Sequence, residues 1–372
     1  MVSKISEFHK QAAGKGFFYA MYCRWMKFLR RRRVMYVLLL VSRLRILGLH
    51  RFARDILNIG RFALLSGRSE NAPDPLYIQI EPTSRCNLRC RMCVRNDPSH
   101  SPQDMSFDQF LQILDKLPSV LFCTIQGNGE PLLNPEVFDM IRYAANKGIA
   151  PITCTNATLL DEQTAVRLAT GGLYECAVSL ESPDKEKFEY IRKGSDFDVY
   201  RKNIELLSNT RDRLNPRLVL SFWVTITGYT SADIEDCIRF AGSVGFDHIV
   251  FQQIQGKKSF RKNYGVTFDK SPMPAKKYDK QKFIRRYKHA GAKHGVSISF
   301  PERCYWPWSG FFVMANGDAT PCCAINSQDG NIMGNMLTQS LAQIWDSQSI
   351  KKLRLSFIDG NPMPCCKECN FS

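Results

Sequence analysis

Three cysteines in one short stretch, Cys86, Cys90 and Cys93, could bind a metal centre. Their C-x3-C-x2-C spacing supplies three thiolates from a single loop to a centre that normally takes four protein ligands. One coordination position is therefore left open. An iron–sulfur cluster with an open iron can bind a small ligand and pass an electron into it, whereas a closed site is structural or passes electrons onward. For this spacing taken alone, a zinc or structural site is the alternative.

A second group of cysteines lies near the end of the chain. Four of them are well spaced and are enough for a closed cluster, with zinc as the alternative: Cys304, Cys322, Cys366 and Cys369. Cys323 and Cys365 are adjacent to two of these, so either could replace its neighbour as a ligand. Fourteen cysteines in 372 residues, without a secretory signal, indicate a reducing compartment in which thiolates ligate metals.

Strands and helices alternate along the chain after residue 75. The hydrophobic pattern predicts six strands, at 76–81, 121–126, 148–156, 174–181, 217–227 and 248–255. Helical patterns separate them, for example at 106–117, 161–170, 200–210 and 231–244. This alternation predicts an α/β fold with a parallel sheet and crossover helices. The first cysteine loop follows the first strand, at the carboxyl end, where active sites of parallel barrels lie.

Several predicted strands have one polar face. The polar positions are Tyr77, Gln79 and Glu81, then Thr124 and Gln126, then Ser179 and Glu181, and finally Ser221, Trp223, Thr225 and Thr227. A strand packed on both sides would be apolar on both faces. The pattern therefore indicates a wet interior that holds a substrate. The alternative is a set of core residues that hydrogen-bond to one another.

The first cysteine loop and the later run Gly127-Asn-Gly-Glu-Pro131 together resemble the radical S-adenosylmethionine (SAM) superfamily. In that family a 4Fe-4S cluster on three cysteines binds SAM and cleaves it to methionine and a 5′-deoxyadenosyl radical, which abstracts hydrogen from a substrate. The run is similar to the family's GGEP motif, which holds the amino group of SAM, and glycine allows close approach to a ligand. The resemblance implies a partial (β/α)6 TIM-like barrel in which Cys86, Cys90 and Cys93 ligate the SAM cluster.

Further SAM-binding residues are implied where the sequence matches family motifs. They are Met92, Gly127, Gly129, Glu130, Pro131, Asn156, Ser179, Glu181 and Arg192. Met92 takes a position that often holds an aromatic near the adenine. Ser179 and Glu181 match a fourth-strand position that meets the ribose or the amino acid part of SAM. Arg192 lies in an IRKG element of one subgroup and could pair with a carboxylate. Each of these could instead be a solvated loop residue.

Residues 301–372 resemble the SPASM/twitch extension, through Tyr305-Trp-Pro-Trp308, NGDATPCC, MGN and IWDS. The fuller form of that extension has more cysteines and two clusters. The four well-spaced cysteines therefore imply one auxiliary 4Fe-4S cluster. Cys323 or Cys365, whichever is not a ligand, is a candidate hydrogen donor. The expected divisions are an extension over 1–72, the barrel over 73–275, a bridging helix over 276–300 and the auxiliary domain over 301–372.

The first 69 residues hold most of the net charge of +16, with 15 Lys and Arg against two acidic residues. The rest of the chain has 36 basic and 33 acidic residues and is nearly neutral. Basic and apolar residues alternate at helical spacing, which predicts a basic amphipathic extension. Its longest uncharged run, Val34 to Ser42, would extend only about 14 Å as a helix, against roughly 30 Å for a hydrocarbon core. The extension therefore does not cross a membrane.

Three interpretations of this extension are open. Basic amphipathic helices lie on anionic membrane surfaces. A helical cap on the barrel with a solvated basic face is an equal alternative. Nucleic acid ranks third, since no recognition module is present. We expect a cytoplasmic protein, which the first of these alternatives would place on the cytoplasmic face of the membrane.

Three functions remain open. The first is a radical SAM enzyme that oxidises or epimerises a small polar, sugar-like or lipid-linked substrate, with a reductant such as flavodoxin or ferredoxin. The second is a maturase of a ribosomally made peptide, which the helical character of residues 1–70 makes less favoured. The third is a non-enzymatic iron–sulfur carrier or zinc protein, against which the GxGEP run argues.

Overall fold

The computed structural model describes residues 49–50, 52–93, 95, 101–226, 231–253, 277–301, 304–325, 331–367 and 369. Most of the predicted extension, residues 1–48, lies outside this set. Helix α1 comprises residues 49–50 and 52–65. The sequence prediction of a helix is confirmed there.

Parallel strands and helices alternate through the middle of the chain, as predicted. The strands are β1 Tyr77–Ile80, β2 Phe122–Ile125, β3 Ala150–Thr155, β4 Glu175–Leu180, β5 Val219–Ile226, β6 His248–Gln253 and β7 Ser297–Ser299. The helices are α2 Phe107–Asp115, α3 Val137–Asn146, α4 Glu162–Thr170, α5 Lys185–Ile191, α6 Phe197–Leu214, α7 Ser231–Ser243 and α8 Lys277–Lys293.

The C-terminal part adds shorter elements. They are α9 Trp306–Ser309, β8 Gly310–Val313, β9 Asp318–Thr320, β10 Gly334–Asn335, α10 Leu341–Trp345, α11 Gln348–Ile358 and α12 Pro364–Lys367. All ten described strands form one sheet in the order β10-β9-β8-β1-β2-β3-β4-β5-β6-β7. Strand β8 pairs parallel with β1, and β9 and β10 extend the edge in antiparallel pairs. The C-terminal part therefore continues the barrel sheet.

Two expectations about the barrel need correction. The bridging helix predicted over 276–300 ends at Lys293, and Ser297–Ser299 form a strand that pairs parallel with β6. Strands β1 to β7 thus run parallel in chain order, where the sequence predicted six strands, and β8 adds one more parallel strand beside β1. The sheet order runs from β10 to β7 without pairing these two edges, so the barrel is partial, as expected.

The core lies between the outward strand faces and the helices. The apolar positions of the strands are buried there, among them Ile78, Ile80, Val178, Phe222 and Phe251. Alternation along each strand turns the intervening polar residues to the interior. The predicted division into an apolar and a polar face is confirmed.

The segment between α1 and β1 is bound by the C-terminal part. The Trp308 indole donates to the Ser69 carbonyl at 2.7 Å, and the Trp345 indole donates to the Pro73 carbonyl at 2.8 Å. Buried Arg354 donates to the Glu70 carbonyl at 2.9 Å. The start and the end of the described chain are therefore attached at the same side of the sheet. Within the described residues, no helix has the length and apolar character needed to span a bilayer.

Candidate active site

The loop of Cys86, Cys90 and Cys93 leaves the carboxyl end of β1 and is held on both sides. At its start, Arg85 donates twice to the Asp104 carboxylate, at 2.9 and 2.6 Å. Further along, the Arg89 amide donates to the Lys193 carbonyl at 3.0 Å. These bonds fix the loop against two neighbouring segments.

Three N–H groups point at the sulfurs of this loop. The Leu88 amide donates to Cys86 Sγ at 3.4 Å, and Asn156 Nδ2 donates to the same sulfur at 3.7 Å. Arg192 Nη1 lies 4.0 Å from Cys90 Sγ. N–H groups around a cluster sulfur favour the thiolate and adjust the reduction potential.

The three thiols line one cavity of about 570 Å³. Burial raises the pKa of Cys90 to about 12, so cluster binding must displace its proton. No three His, Cys, Asp or Glu side chains in the described part of the chain converge closely enough for one metal ion. A 4Fe-4S cluster does not need such convergence, because each thiolate binds a different iron. The donor set, cavity and N–H groups fit a cluster with three protein ligands.

The GxGEP run packs against the cysteine loop and β1. A Cβ on Gly127 would lie 2.3 Å from Cγ of Glu81, and one on Gly129 would lie 2.2 Å from the Thr83 carbonyl oxygen. The Asn128 amide donates to Glu81 Oε1 at 2.6 Å. Both glycines therefore allow the chain to approach itself closely. Their predicted approach to a ligand remains a prediction, although both line the cavity.

Glu81 connects this run to the C-terminal part. Its second carboxylate oxygen accepts from the Ala315 amide at 3.2 Å, while its first accepts from Asn128. The residue is 1% exposed, and burial raises its pKa to about 7. One buried carboxylate thus joins three parts of the fold.

Glu130 lines the cavity, but its oxygens are already hydrogen-bonded. Oε1 accepts from Thr155 Oγ1 at 2.8 Å and from the Leu132 amide at 3.2 Å, and Oε2 accepts from the Asn156 amide at 2.7 Å. Burial raises the pKa of this carboxyl. Glu130 therefore links the ends of β2 and β3, beside its predicted role toward SAM.

Arg192 and Glu181 form a buried ion pair. Arg192 donates through Nε to Glu181 Oε2 and through Nη2 to Oε1 at 2.7 Å. Their side chains are 7% and 0% exposed. Burial alone would lower the pKa of Arg192, but the Glu181 carboxylate raises it beyond its ordinary value. Arg192 lines the cavity and Glu181 does not, so Glu181 acts by holding the guanidinium.

Of the remaining predicted SAM-binding residues, some line the cavity and one does not. Met92, Asn156 and Ser179 line the cavity. Pro131 is buried in a short 3-10 turn, Pro131–Leu133, and does not line it.

The C-terminal cysteines reach the same cavity. Cys304, Cys322, Cys323 and Cys369 line it together with the first three cysteines. Cys366 packs against the hydrophobic core and is not part of the lining, and the Cys365 side chain lies outside the described residues. The structure therefore brings three of the four predicted auxiliary ligands, and the candidate donor Cys323, to the cavity lined by the first cysteine group.

Seven further side chains of aromatic, amide or hydroxyl type line the same cavity. The residues are Tyr77, Gln79, Gln126, Trp223, Thr225, Gln252 and Trp306. The rings of Tyr77 and Trp306 meet edge to face, with centroids 5.2 Å apart. Gln79 Nε2 donates to the Gln126 carbonyl at 3.1 Å, and the Gln79 side chain lowers in part the pKa of Cys323, which burial raises to about 11. Two buried atoms here, Trp223 Nε1 and Gln126 Oε1, have no hydrogen-bond partner among the described residues.

The polar strand faces contain both cavity-lining residues and residues that hydrogen-bond to one another, while the predicted holding of a substrate stays a prediction. Positions near the carboxyl ends line the cavity, for example Gln79 and Trp223. Positions deeper in the barrel bond to one another, since Ser221 donates to Glu175 at 2.6 Å. Tyr77 does both, because it lines the cavity and its hydroxyl donates to Thr124 at 2.9 Å. Gln252 and Trp306 were missed by sequence reasoning. The period-two pattern of β6 could have indicated Gln252, whereas Trp306 lies on a four-residue helix without a pattern.

Two family models match the chain. That of the radical SAM superfamily matches residues 80–241, and that of an iron–sulfur cluster-binding domain, SPASM, matches residues 304–370. The matched segments contain the first cysteine loop and the C-terminal cysteines.

Curated relatives match at modest identity. A tungsten-containing aldehyde ferredoxin oxidoreductase cofactor-modifying protein of Pyrococcus furiosus is 26% identical over 326 residues, covering 79% of this chain and 87% of that protein. A GTP 3′,8-cyclase of Chlorobaculum tepidum is 33% identical over 137 residues, covering 36% of this chain but only 41% of that protein. The mycofactocin maturase MftC of Mycolicibacterium smegmatis is 26% identical over 136 residues, covering 36% of this chain and 35% of that protein.

Solved structures share the fold. SuiB of Streptococcus suis bound to S-adenosylmethionine superposes with a TM-score of 0.62 at 16% identity, covering 82% of this chain and 71% of that one. The same protein bound to its precursor peptide SuiA gives a TM-score of 0.63 at 15% identity, covering 86% and 74%.

Proposed function

The chain is an enzyme of the radical SAM superfamily with a C-terminal SPASM domain, and we propose that its substrate is an uncharged, hydroxyl-bearing, sugar-like molecule. Its cofactors are SAM, a SAM-binding 4Fe-4S cluster and an auxiliary cluster. The substrate would bind in the cavity that the two cysteine groups share, where it would lose a hydrogen atom.

The observation that carries the proposal is the shared cavity. Cys86, Cys90 and Cys93 line it together with Cys304, Cys322, Cys323 and Cys369. A substrate in this cavity would share it with both cysteine groups, one for hydrogen abstraction and the other for electron acceptance.

The charges in this cavity support an uncharged substrate. Among the described lining residues, only Glu130 and Arg192 are acidic or basic. Both are already bound, Arg192 to Glu181 and Glu130 to Thr155 and Asn156. A buried charge on the substrate would lack a partner of opposite sign, at considerable cost.

The unpartnered polar atoms support a hydroxyl-bearing substrate. Trp223 Nε1 can only donate, and Gln126 Oε1 can only accept. A hydroxyl group does both, so adjacent hydroxyls would satisfy both atoms once side-chain rotation turns these buried atoms to the cavity surface. The rings of Tyr77, Trp223 and Trp306 offer apolar surface to the carbon face of a sugar.

The residues of the chain bind, orient and exclude water. When bound, SAM and its cluster supply a carbon-centred radical that takes a hydrogen atom from the substrate. Arg192 presents a charged group toward the cysteine loop, and Asn156 fixes Cys86 through an N–H contact. The aromatic side chains shield the reacting carbon from water.

Cys323 decides between the two outcomes. Return of a hydrogen atom from its thiol to the opposite face of the substrate gives an epimer, and the thiyl radical then takes an electron and a proton from a reductant. Without that return, the substrate radical would lose a proton to solvent and an electron to the auxiliary cluster, which gives an oxidised product. Cys323 lies in the cavity wall beside Gln79, which supports the first outcome.

A peptide is the second candidate substrate. SuiB shares the fold and has been solved with a precursor peptide, and MftC is a maturase. A peptide group also offers a donor and an acceptor to Gln126 and Trp223. The curated relative from Pyrococcus furiosus, which matches over 79% of this chain, is instead a cofactor-modifying protein.

The proposal is tested with anaerobically reconstituted protein, expected to hold about eight irons. We expect 5′-deoxyadenosine release with dithionite, stimulated by neutral glycosides from a panel and accompanied by deuterium transfer from a deuterated carbinol carbon. The aminated or carboxylated analogues should stimulate weakly. Stimulation by peptides alone would establish the second candidate, and no release from intact clusters would contradict the radical chemistry.

A further inference from the structure

Helix α1 presents an apolar stripe to solvent. Leu49 is 73% exposed, Ile56 43%, Leu57 69% and Leu64 68%. At 3.6 residues per turn these four side chains fall within an arc of about 100° on one side of the helix. Ala53 and Ala63, also exposed, lie within or beside the same arc. Such a continuous exposed apolar face, on a helix whose other side packs against the barrel, indicates a binding surface.

The opposite side of α1 is attached to the barrel. Asp55 is fully buried and Asn58 is 7% exposed. Asn58 Nδ2 donates to the Asp74 carbonyl at 2.9 Å, and Arg54 Nη2 donates to the Pro118 carbonyl at 2.9 Å. The helix is therefore fixed in orientation, and its apolar stripe faces away from the barrel.

Positive charge borders the apolar stripe. Arg61 and Arg68 are exposed along one side of it, and Asp55 on the buried side is the only acidic residue of the described helix. The sequence up to residue 69 carries 15 basic residues against two acidic ones. Each Lys or Arg near an anionic bilayer strengthens binding about fivefold.

We propose that this face of α1 binds the surface of an anionic lipid bilayer. Leucine and isoleucine side chains enter the boundary between head groups and acyl chains, and the bordering arginines contact lipid phosphates. A protein partner with a complementary surface would need acidic residues around an apolar groove. A bilayer supplies both features without a specific sequence.

The position of α1 fixes how the enzyme would be oriented. Its contacts, Asp74 and Pro118, precede β1 and β2 at the amino ends of these strands. The cysteine loop lies at the carboxyl ends of the strands, and the cavity opens from that end of the barrel. The bilayer would therefore contact the amino-terminal end of the barrel, opposite to the cavity. A substrate would enter from the solvent side, which argues against a substrate held in the same bilayer.

The test measures partition of the full chain onto vesicles of phosphatidylcholine with and without phosphatidylglycerol, by flotation at several lipid concentrations. Wild type should bind the anionic vesicles and lose binding at high salt. The double variant Leu57→Gln/Leu64→Gln should bind at least about tenfold more weakly, because two leucines leave the bilayer. Arg61→Gln should bind about fivefold more weakly to anionic vesicles and unchanged to neutral ones.

The matched control is Leu355→Gln, at a leucine on α11 that is 39% exposed and far from α1 in sequence. It should bind as wild type does. Circular dichroism and iron content should be unchanged in all variants, since the replaced side chains are exposed.

Three results would overturn the proposal. The double variant could bind as tightly as wild type, which would assign lipid binding to other residues. Wild type could bind neutral and anionic vesicles equally. Finally, sedimentation without lipid could show a wild-type dimer that the double variant abolishes, which would make the stripe an interface between copies of the chain.

Discussion

The side chain of Glu81 occupies the space in which a Cβ of Gly127 would lie, 2.3 Å from Glu81 Cγ and 2.3 Å from Oε1. Packing against Glu81 therefore requires a glycine at position 127, in addition to any close approach of this loop to SAM. The Asn128 amide, next in the chain, donates to the same carboxylate. The SAM-motif loop and the end of β1 are shaped to fit each other.

Gly127→Ala should lower the free energy of unfolding by about 1 to 3 kcal/mol, because the added methyl overlaps a buried side chain. Urea unfolding measures this. The variant Gly127→Ala/Glu81→Ala should lose less than the sum of the two single changes, since the space is then free. Gly60→Ala is the control: nothing lies within 4 Å of its Cβ position on α1, so it should be neutral or stabilising. Additive losses in the double variant would contradict the packing argument.

The sequence predicted those features that depend on local pattern. Strand β2 was expected over 121–126 and spans Phe122–Ile125, because alternation of apolar and polar residues has a period of two. The three cysteines of the first loop share one cavity because they are close in sequence.

Features that depend on distant contacts were not predictable. Ser297–Ser299 is too short to show a period, and the pairing of β8 with β1 joins residues more than 200 positions apart. Glu81 was recognised as part of a polar face, but its bond to Ala315 requires the C-terminal part in place. The unpartnered state of Trp223 Nε1 likewise depends on which side chains surround it.

Glu81 should make stability depend on pH. Burial raises its pKa from an ordinary 4.5 to about 7, although the Asn128 and Ala315 amides lower it in part. Between these two pH values the folded protein holds a proton that the unfolded chain has released. The free energy of unfolding should therefore fall by up to about 3 kcal/mol as pH rises through this window and then stay level.

The variant Glu81→Gln isolates this contribution. It does not titrate, so the difference in stability between wild type and variant should shrink as pH rises from 5 to 8. Other groups titrate in both proteins and cancel in the difference. Parallel curves for the two proteins would show that Glu81 has an ordinary pKa.

Arg192→Gln should destabilise the protein by about 3 to 5 kcal/mol, because Glu181 would remain as an unpaired buried carboxylate. Urea unfolding of Glu181→Gln/Arg192→Gln should show a smaller loss than that of Arg192→Gln alone. Arg201→Gln is the control, since Arg201 and Glu205 form an exposed pair, 54% and 46% exposed. It should cost no more than about 0.5 kcal/mol. An equal loss for the exposed and buried pairs would contradict the prediction.

Cys323→Ser should keep the full iron content of about eight per chain, because the predicted auxiliary ligands are Cys304, Cys322, Cys366 and Cys369. It should lose solvent-derived hydrogen in the product, which mass spectrometry after reaction in D2O detects. Cys369→Ser is the control and should lose about four irons. If Cys323→Ser lost iron instead, Cys323 would be a ligand and the hydrogen donor would have to be sought elsewhere.

Trp223→Phe should weaken substrate binding and leave the cleavage of SAM unchanged. It keeps an aromatic ring in the cavity wall but removes the Nε1 donor, which has no partner among the described residues. Loss of one hydrogen bond to a substrate hydroxyl should raise KM about tenfold, with little change in 5′-deoxyadenosine release in the absence of substrate. Trp308→Phe is the matched control, because its Nε1 donates to the Ser69 carbonyl at 2.7 Å, away from the cavity. That variant should lose stability and keep KM, so a KM change in Trp308→Phe but not in Trp223→Phe would place the substrate elsewhere.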